Sequence, residues 1–111
     1  MEDNIILVHC TVPSREEGLK IARILVEKKM AACCTLVPDV TSVYQWENNI
    51  EESNEVLLLI KSSSRLYEHL EKEIKMMHSY SVPEIIATNI TQASSAYSDW
   101  VKQSVNLQGA P

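Results

Sequence analysis

Apolar residues along the chain fall into runs that predict strands. Ile5–Val8 and Glu55–Ile60 are nearly unbroken aliphatic runs, which are typical of strands buried on both faces. Strand character also occurs in three further stretches: Ala32–Val37, Val40–Trp46 and Ile85–Ile90. Pro38 has no backbone N–H, so it predicts a bulge, a bend or an edge position between the first two of these. Asn48 and Asn49 predict the turn that follows, because asparagine tolerates the left-handed region.

Between the strands, apolar residues recur at helical spacing. Ser14 and Glu17 form a capping box that predicts the start of a first helix, with inward positions Leu19, Ala22, Leu25, Val26 and Met30. Ser62–Ser64 offers an N-cap for a second helix with the stripe Leu66, Leu70, Ile74 and Met77. A last helix is expected near Ser94 or Ser95, with Tyr97, Trp100, Val101 and Val105 inward. Gln108–Pro111 is expected to fray.

The order of these elements predicts the fold class. The order β-α-β-β-α-β followed by a C-terminal helix is the α+β, ferredoxin-like split βαβ pattern. The first and third strands, which are central in that topology, are also the two with unbroken apolar runs. A chain of 111 residues matches one domain, so residues 1–111 are expected to form a single unit.

The second and third strands predict a β-hairpin that is too long for its domain. Strands of this length reach roughly 40–50 Å at ~3.3 Å per residue, whereas a domain of this size has a radius of gyration near ~13 Å. Its outer part carries Val43, Tyr44 and Trp46, and a bare apolar arm with open edges would aggregate. Either the hairpin lies along a neighbouring subunit of a closed assembly, or it bends back onto its own domain.

Composition and charge argue against several classes of protein, namely nucleic-acid-binding, secreted and membrane-spanning proteins. The net charge is −5, and no run of like charges suggests a nucleic-acid surface. The start, Met1–Asn4, lacks the basic residues of a secretory signal, and no apolar run is long enough to span a bilayer. The three cysteines lack zinc or redox spacing, which predicts reduced thiols in a cytoplasmic protein.

Several motifs occur together in an order that resembles one family. They are Val8–Pro13, Lys28–Cys33, Tyr44–Glu47, Leu59–Lys61 and Tyr80–Ile85, followed by Tyr97 and Trp100. Together they cover nearly the whole chain and resemble the CutA family of divalent-cation tolerance proteins.

The resemblance implies a ferredoxin-like subunit in a cytoplasmic homotrimer, similar in outline to PII signalling proteins. It also implies a link to tolerance of copper and other divalent cations, with no enzyme activity. The copper ligands that it implies are Cys10 and His78. The family has a second histidine where this chain has Met77 and a proline where it has Ser79. The acidic residue after the family's proline corresponds to Glu84.

Each of these four residues also has a structural interpretation. Thiolate, thioether and imidazole favour Cu(I), and Met77 in place of histidine favours it further over Cu(II). However, Met77 lies on an apolar helix stripe, where methionine usually fills the core. Cys10 is as readily a buried structural thiol as a ligand. His78 can interact with the last carbonyls of its helix, and Glu84 can pair with a lysine of a neighbour.

Two functions follow as hypotheses. The first is a homotrimeric cytoplasmic protein of divalent-cation tolerance that binds copper weakly and without catalysis. The alternative is a structural or PII-like signalling trimer that binds a small ligand or a protein partner in clefts between subunits. Lys61, Tyr44, Trp46 and Tyr80 either line such a cleft or pack an interface.

An enzyme is disfavoured by the strand geometry and by the first loop. His9 and Cys10 are adjacent in a strand, so their side chains point to opposite faces and cannot act as a catalytic pair. The first loop also lacks the glycines of an anion-binding loop.

Overall fold

A computed structural model describes residues 3–106 of the chain. The elements are β1 (Ile5–Val12), α1 (Arg15–Glu27), β2 (Cys33–Trp46), β3 (Asn49–Ser63), a 3-10 turn (Ser64–Leu66), α2 (Tyr67–Met77), β4 (Ile86–Asn89) and α3 (Ser95–Ser104). This order confirms the α+β fold with a long β2–β3 hairpin. The predicted frayed segment, Gln108–Pro111, lies outside the described residues.

All four strands pair antiparallel in the order β2-β3-β1-β4, so β1 and β3 are central as predicted. The side chains of Val8, Cys10 and Val12 alternate onto one face of β1 and pack with the buried faces of α1 and α2. Ile5 points to the other face, where it packs with Val101 of α3. The main core therefore lies between the sheet and two helices, and α3 covers one end of the opposite face.

The first and third helices begin at the predicted caps. Ser14 Oγ accepts a hydrogen bond from the Glu17 N–H at 3.1 Å, and Ser94 caps α3 in the same way through Tyr97. The second half of the Ser14 capping box is absent, because the Glu17 carboxylate turns to Ser79 instead.

The predicted cap of α2 is wrong. Ser62 and Ser63 continue β3, paired with Ile6 and Ile5, and α2 begins only at Tyr67 without a side-chain cap. Ser62 and Ser63 are instead buried, and their hydroxyls donate to the Met30 carbonyl and to Asp3.

Three other details differ from the prediction. β1 runs on to Val12, because the ladder with β3 continues through Thr11 and Val12. The hairpin turn is Glu47–Asn48, with φ of 50° and 69°, and Trp46 pairs with Asn49. Val26, Tyr97 and Trp100 were expected inward but are exposed in the single chain.

A bulge divides the long hairpin into two parts. The register of β2 against β3 shifts between Val37 and Val40, as Pro38 predicts, and Asp39 adopts a φ of 59°. We call residues 33–37 and 55–63 the inner hairpin and residues 40–54 the outer hairpin. The inner hairpin lies under the helices, whereas residues 43–52 of the outer hairpin are all exposed. The outer hairpin therefore does not fold back onto its own domain.

Candidate metal and ligand site at the base of the outer hairpin

Two of the predicted metal ligands meet at one backbone oxygen at the end of β1. The Nε2 atom of His78 lies 2.8 Å from the Thr11 carbonyl oxygen, and the Cys10 thiol lies 3.8 Å from the same oxygen. Cys10 comes from β1, and His78 is the residue directly after α2. The fold thus brings together a thiol and an imidazole that are 68 positions apart in the chain.

The imidazole of His78 is fully enclosed, and both of its nitrogens have partners. Nδ1 accepts the Tyr80 N–H at 3.0 Å, so Nε2 carries the proton that is donated to the Thr11 carbonyl. Glu17 Oε2 lies 3.5 Å from Nδ1 and accepts the Ser79 N–H and hydroxyl. His78 therefore does not interact with the last carbonyls of α2 through its ring. It fastens the loop after α2 to the end of β1.

Cys10 is completely buried, which controls its chemistry. Burial, followed by the negative charge of Glu84, raises the pKa of the Cys10 thiol to about 12. The thiol is therefore protonated at neutral pH, and a metal ion must displace that proton to bind it.

The other two predicted ligands lie around this pair. Met77 is half-buried and packs against the core cluster that contains Cys10, as expected for a residue on the helix stripe. Glu84 is exposed in the loop before β4. Among residues 3–106, no group of three or more His, Cys, Asp and Glu side chains is arranged to hold a metal ion.

A cavity of about 550 Å³ opens beside Thr11. The outer hairpin forms one wall with Val43, Tyr44 and Trp46, and the loop before β4 forms another with Tyr80, Val82 and Glu84. Tyr44, Trp46 and Tyr80, for which a cleft between subunits and interface packing were both left open, line this cavity within the single chain. Lys61 does not line it, because its Nζ donates to Thr35 Oγ1 at 2.8 Å on the inner hairpin.

Glu55 lies in the cavity wall and was missed by the sequence analysis. It is only 6 % exposed, and its Oε2 accepts the Tyr80 hydroxyl at 2.7 Å. Burial, together with the bond to Glu55, raises the pKa of Tyr80 above its usual range. The only signal in the sequence is a charged residue at the start of the apolar run of β3.

Cys33 and Cys34 belong to β2, and of the two only Cys34 lies near enough to Cys10 for its charge to contribute to the raised pKa of Cys10. Cys34 packs against the main core, while Cys33 on the opposite face lies 3.8 Å from the Tyr97 hydroxyl. All three cysteines are free thiols in this structure. In the described part of the chain, no helix is long and apolar enough to cross a membrane.

Comparison with known sequences gives one family. Residues 6–104 match the family described as CutA1 divalent ion tolerance protein. The Divalent-cation tolerance protein CutA of Thermus thermophilus is 39 % identical over 101 residues, covering 91 % of this chain and 96 % of that protein. The chloroplastic Protein CutA of Arabidopsis thaliana is 44 % identical over 99 residues, covering 89 % of this chain. This chain spans only 54 % of the Arabidopsis protein's length.

Comparison with solved structures gives the same result. The crystal structure of CutA1 from Oryza sativa superimposes with a TM-score of 0.91 at 38 % identity, covering 93 % of this chain and 94 % of that chain. The strand order, the long hairpin and the matched residues are thus explained together: the chain belongs to the CutA1 divalent ion tolerance family.

Proposed function

We propose that the protein acts in divalent-cation tolerance as a cytoplasmic homotrimer that binds copper weakly and catalyses no reaction. The observation that carries this proposal is the outer hairpin, which leaves large apolar side chains bare in the single chain. The family is named for ion tolerance and not for an enzyme reaction, which supports a binding role.

Large apolar side chains that are exposed on the outer hairpin support assembly. Ile50 is 71 % exposed, and Val43, Tyr44 and Trp46 are also exposed on the outer hairpin. Ile50 pairs with Gln45 and so shares a face with Val43, whereas Tyr44 and Trp46 lie on the opposite face. Soluble monomers rarely leave large apolar side chains exposed on both faces of one arm. β2 and β4 are the edge strands of the sheet, and an open edge is a second unsatisfied surface. Identical copies around a closed symmetry axis cover both.

Replacement of outer-hairpin residues tests the assembly. We expect Trp46→Arg with Ile50→Arg to produce a smaller species in size-exclusion chromatography while the circular dichroism spectrum keeps its α+β shape. Met76→Arg is the matched control, because Met76 is also exposed but lies on α2. If the hairpin variant and the control elute together with the unmodified protein, the hairpin is not an interface.

The side chains around the Thr11 carbonyl that could act as metal ligands support weak copper binding. Thiol, imidazole and thioether groups suit Cu(I), and Cys10, His78 and Met77 supply one of each. Binding requires His78 to give up one of its two hydrogen bonds and Cys10 to lose its proton. Both requirements reduce affinity, and proton loss makes binding stronger as the pH rises.

Equilibrium dialysis with Cu(I) and Cu(II) tests this site. We expect Cu(I) to bind the unmodified protein more tightly than Cu(II), and Cys10→Ala with His78→Ala to abolish the difference. Cys33→Ala with His69→Ala is the matched control, since both residues lie outside the site and both are accessible. Equal copper binding by the two double variants would remove the site.

The cavity beside Thr11 favours a second function. In this alternative the assembly is a structural or PII-like signalling trimer that binds a small ligand or a protein partner in its clefts. A cavity of about 550 Å³ lies in the size range of small-molecule sites, and its walls combine apolar rings with a few polar groups. Thermal-shift measurements with metabolites and with metal ions separate the two functions, because only a bound ligand raises the melting temperature.

A further inference from the structure

We propose that the cavity beside Thr11 binds a small organic ammonium ion, with Glu55 as its charge partner and Tyr44, Trp46 and Tyr80 as its aromatic walls. This inference names the ligand class of the second candidate function and does not depend on copper binding.

Within its own chain, Glu55 is a buried carboxylate that has no cationic partner among residues 3–106. Within residues 3–106, the ion pairs involve Lys28, Arg65, Lys75 and His78, and none of them reaches Glu55. The Glu55 carboxylate accepts a hydrogen bond from the Tyr80 hydroxyl, and the cavity lining contains no lysine or arginine. A buried carboxylate is costly unless a positive charge compensates it. The open cavity in front of Glu55 is where that charge can enter.

The aromatic residues are suited to an organic cation. Tyrosine and tryptophan faces attract ammonium groups within about 6 Å of the ring centre. The rings of Tyr80 and Tyr44 are fixed in place. The Tyr80 hydroxyl donates to Glu55, and the Tyr80 ring contacts the tilted His78 ring at a centroid distance of 4.8 Å. The Tyr44 hydroxyl and the Ser53 hydroxyl are hydrogen-bonded at 2.8 Å. Trp46 supplies a third ring on the same side of β2 as Tyr44, two positions on.

A bare divalent metal ion fits this cavity less well. Calcium and magnesium take about six or more oxygen ligands at short distances. The cavity offers the carboxylates of Glu55 and Glu84, and one oxygen of Glu55 is already engaged by Tyr80. A methylated ammonium ion needs a single carboxylate and aromatic faces, which is what the walls provide.

Nuclear magnetic resonance on the full, assembled chain tests the inference. Choline and tetramethylammonium are titrated separately, and the indole N–H signals of the two tryptophans are followed. We expect the Trp46 signal to shift in a saturable way, while Trp100 on α3, outside the cavity, stays unchanged. 3,3-Dimethylbutan-1-ol, which has the shape of choline without its charge, is expected to bind at least about tenfold more weakly, because charge-assisted contacts dominate.

Matched variants locate the binding site. We expect Glu55→Gln to weaken choline binding about tenfold or more, since it removes the charge and keeps the shape. Glu52→Gln on the same strand is the control, because Glu52 is exposed and outside the cavity. Trp46→Leu provides a second measurement if Glu55→Gln misfolds, and it is expected to weaken choline binding. Because Trp46 also lies on the outer hairpin, light scattering first establishes that this variant keeps the mass of the unmodified assembly.

Three results would overturn the proposal. The first is no saturable shift of Trp46 with either cation, which also counts against a small-ligand cavity. The second is equal binding of choline by Glu55→Gln, Trp46→Leu and the unmodified protein. The third is equal binding of choline and its neutral analogue, which leaves a ligand cavity in place and rejects only the ammonium class.

Discussion

The inner and outer parts of the β2–β3 hairpin share one ladder but differ in what covers them. In the inner hairpin, Leu58 and Ile60 are completely buried under α1 and α2. In the outer hairpin, residues 43–52 are all exposed. The backbones of β2 and β3 nevertheless stay paired beyond the bulge, from Val40 with Glu55 to Trp46 with Asn49. An isolated two-stranded hairpin is only marginally stable in water. Side-chain burial, and not backbone pairing, therefore distinguishes the part that the subunit stabilises from the part that other copies cover in the proposed assembly.

The largest expected effect separates these two parts directly. Leu58→Ala removes a fully buried side chain from β3 and should lower the free energy of unfolding by about 2–5 kcal/mol. Ile50→Ala on the same strand removes a side chain that is exposed in the single chain. We expect its effect on urea denaturation to appear only at chain concentrations where the protein is assembled. If Ile50→Ala costs as much as Leu58→Ala at every concentration, the distinction is wrong.

The second largest effect on the free energy of unfolding is expected at Gly18, where α1 lies close to the inner hairpin. A Cβ atom on Gly18 would lie 3.1 Å from side-chain atoms of Leu58 and Val12. Gly18→Val should therefore lower the free energy of unfolding by about 1–3 kcal/mol through overpacking. Ala96→Val, at an exposed position of α3, is the control and should change it by less than about 0.5 kcal/mol. A tolerated Gly18→Val would mean that α1 moves freely on the sheet.

Loss of the N-cap of α1 should have a smaller effect on the free energy of unfolding than Gly18→Val in the same helix. Ser14→Ala removes the acceptor of the Glu17 N–H and should cost about 1 kcal/mol in thermal or urea unfolding. Ser95→Ala, at an exposed position just after the cap of α3, should be neutral. Equal losses for the two variants would show that general helix propensity, and not the cap, is being measured.

Near neutral pH, the smallest effect on the free energy of unfolding comes from the thiols of Cys10 and Cys34, which lie on the helix-covered face of the sheet. Burial raises the pKa of both Cys10 and Cys34 from 9.0 to about 12. Above pH 9 these thiols ionise in the unfolded chain but stay protonated in the folded one. The free energy of unfolding should therefore fall as the pH rises from about 9 to 12.

Urea denaturation at a series of alkaline pH values measures this slope. The double variant Cys10→Ala with Cys34→Ala should show a shallower slope than the unmodified protein. Cys33→Ala is the comparison variant and should change the slope less than the double variant does. Cys33 lies on the other face of β2, and its charge contributes to the raised pKa of Cys34 only after burial. An unchanged slope in the double variant would contradict the burial of these two thiols.

The fold was largely predictable from local patterns. The aliphatic runs of β1 and β3 identify the central strands, Pro38 marks the bulge, and Ser14 and Ser94 mark two helix starts. The errors occur where tertiary contacts override a local signal. Ser62–Ser64 has the composition of a cap, yet the ladder with β1 continues through Ser62 and Ser63, so the strand extends over them.

The exposed side chains of Val26, Tyr97 and Trp100 show a different limit. Their helical spacing predicts an inward face, but α1 and α3 each cover only part of a sheet. Periodicity indicates that a residue avoids water and does not indicate whether its own chain or another chain covers it.

The candidate site could be predicted only in part. Cys10 and His78 were named from the resemblance, and the fold places them at one carbonyl oxygen. Neither the hydrogen bonds that occupy both nitrogens of His78 nor the contact of Glu55 with Tyr80 has a local signal. Both depend on how the loop after α2 lies against the sheet, which side-chain packing decides.

Light scattering on the unmodified protein at micromolar concentration is the most direct test of the claim that other copies cover the outer hairpin. The account predicts a particle of about three times the 12.6 kDa chain mass. A particle of single-chain mass across the whole concentration range would contradict it, and the outer hairpin would then be an apolar arm that tolerates water.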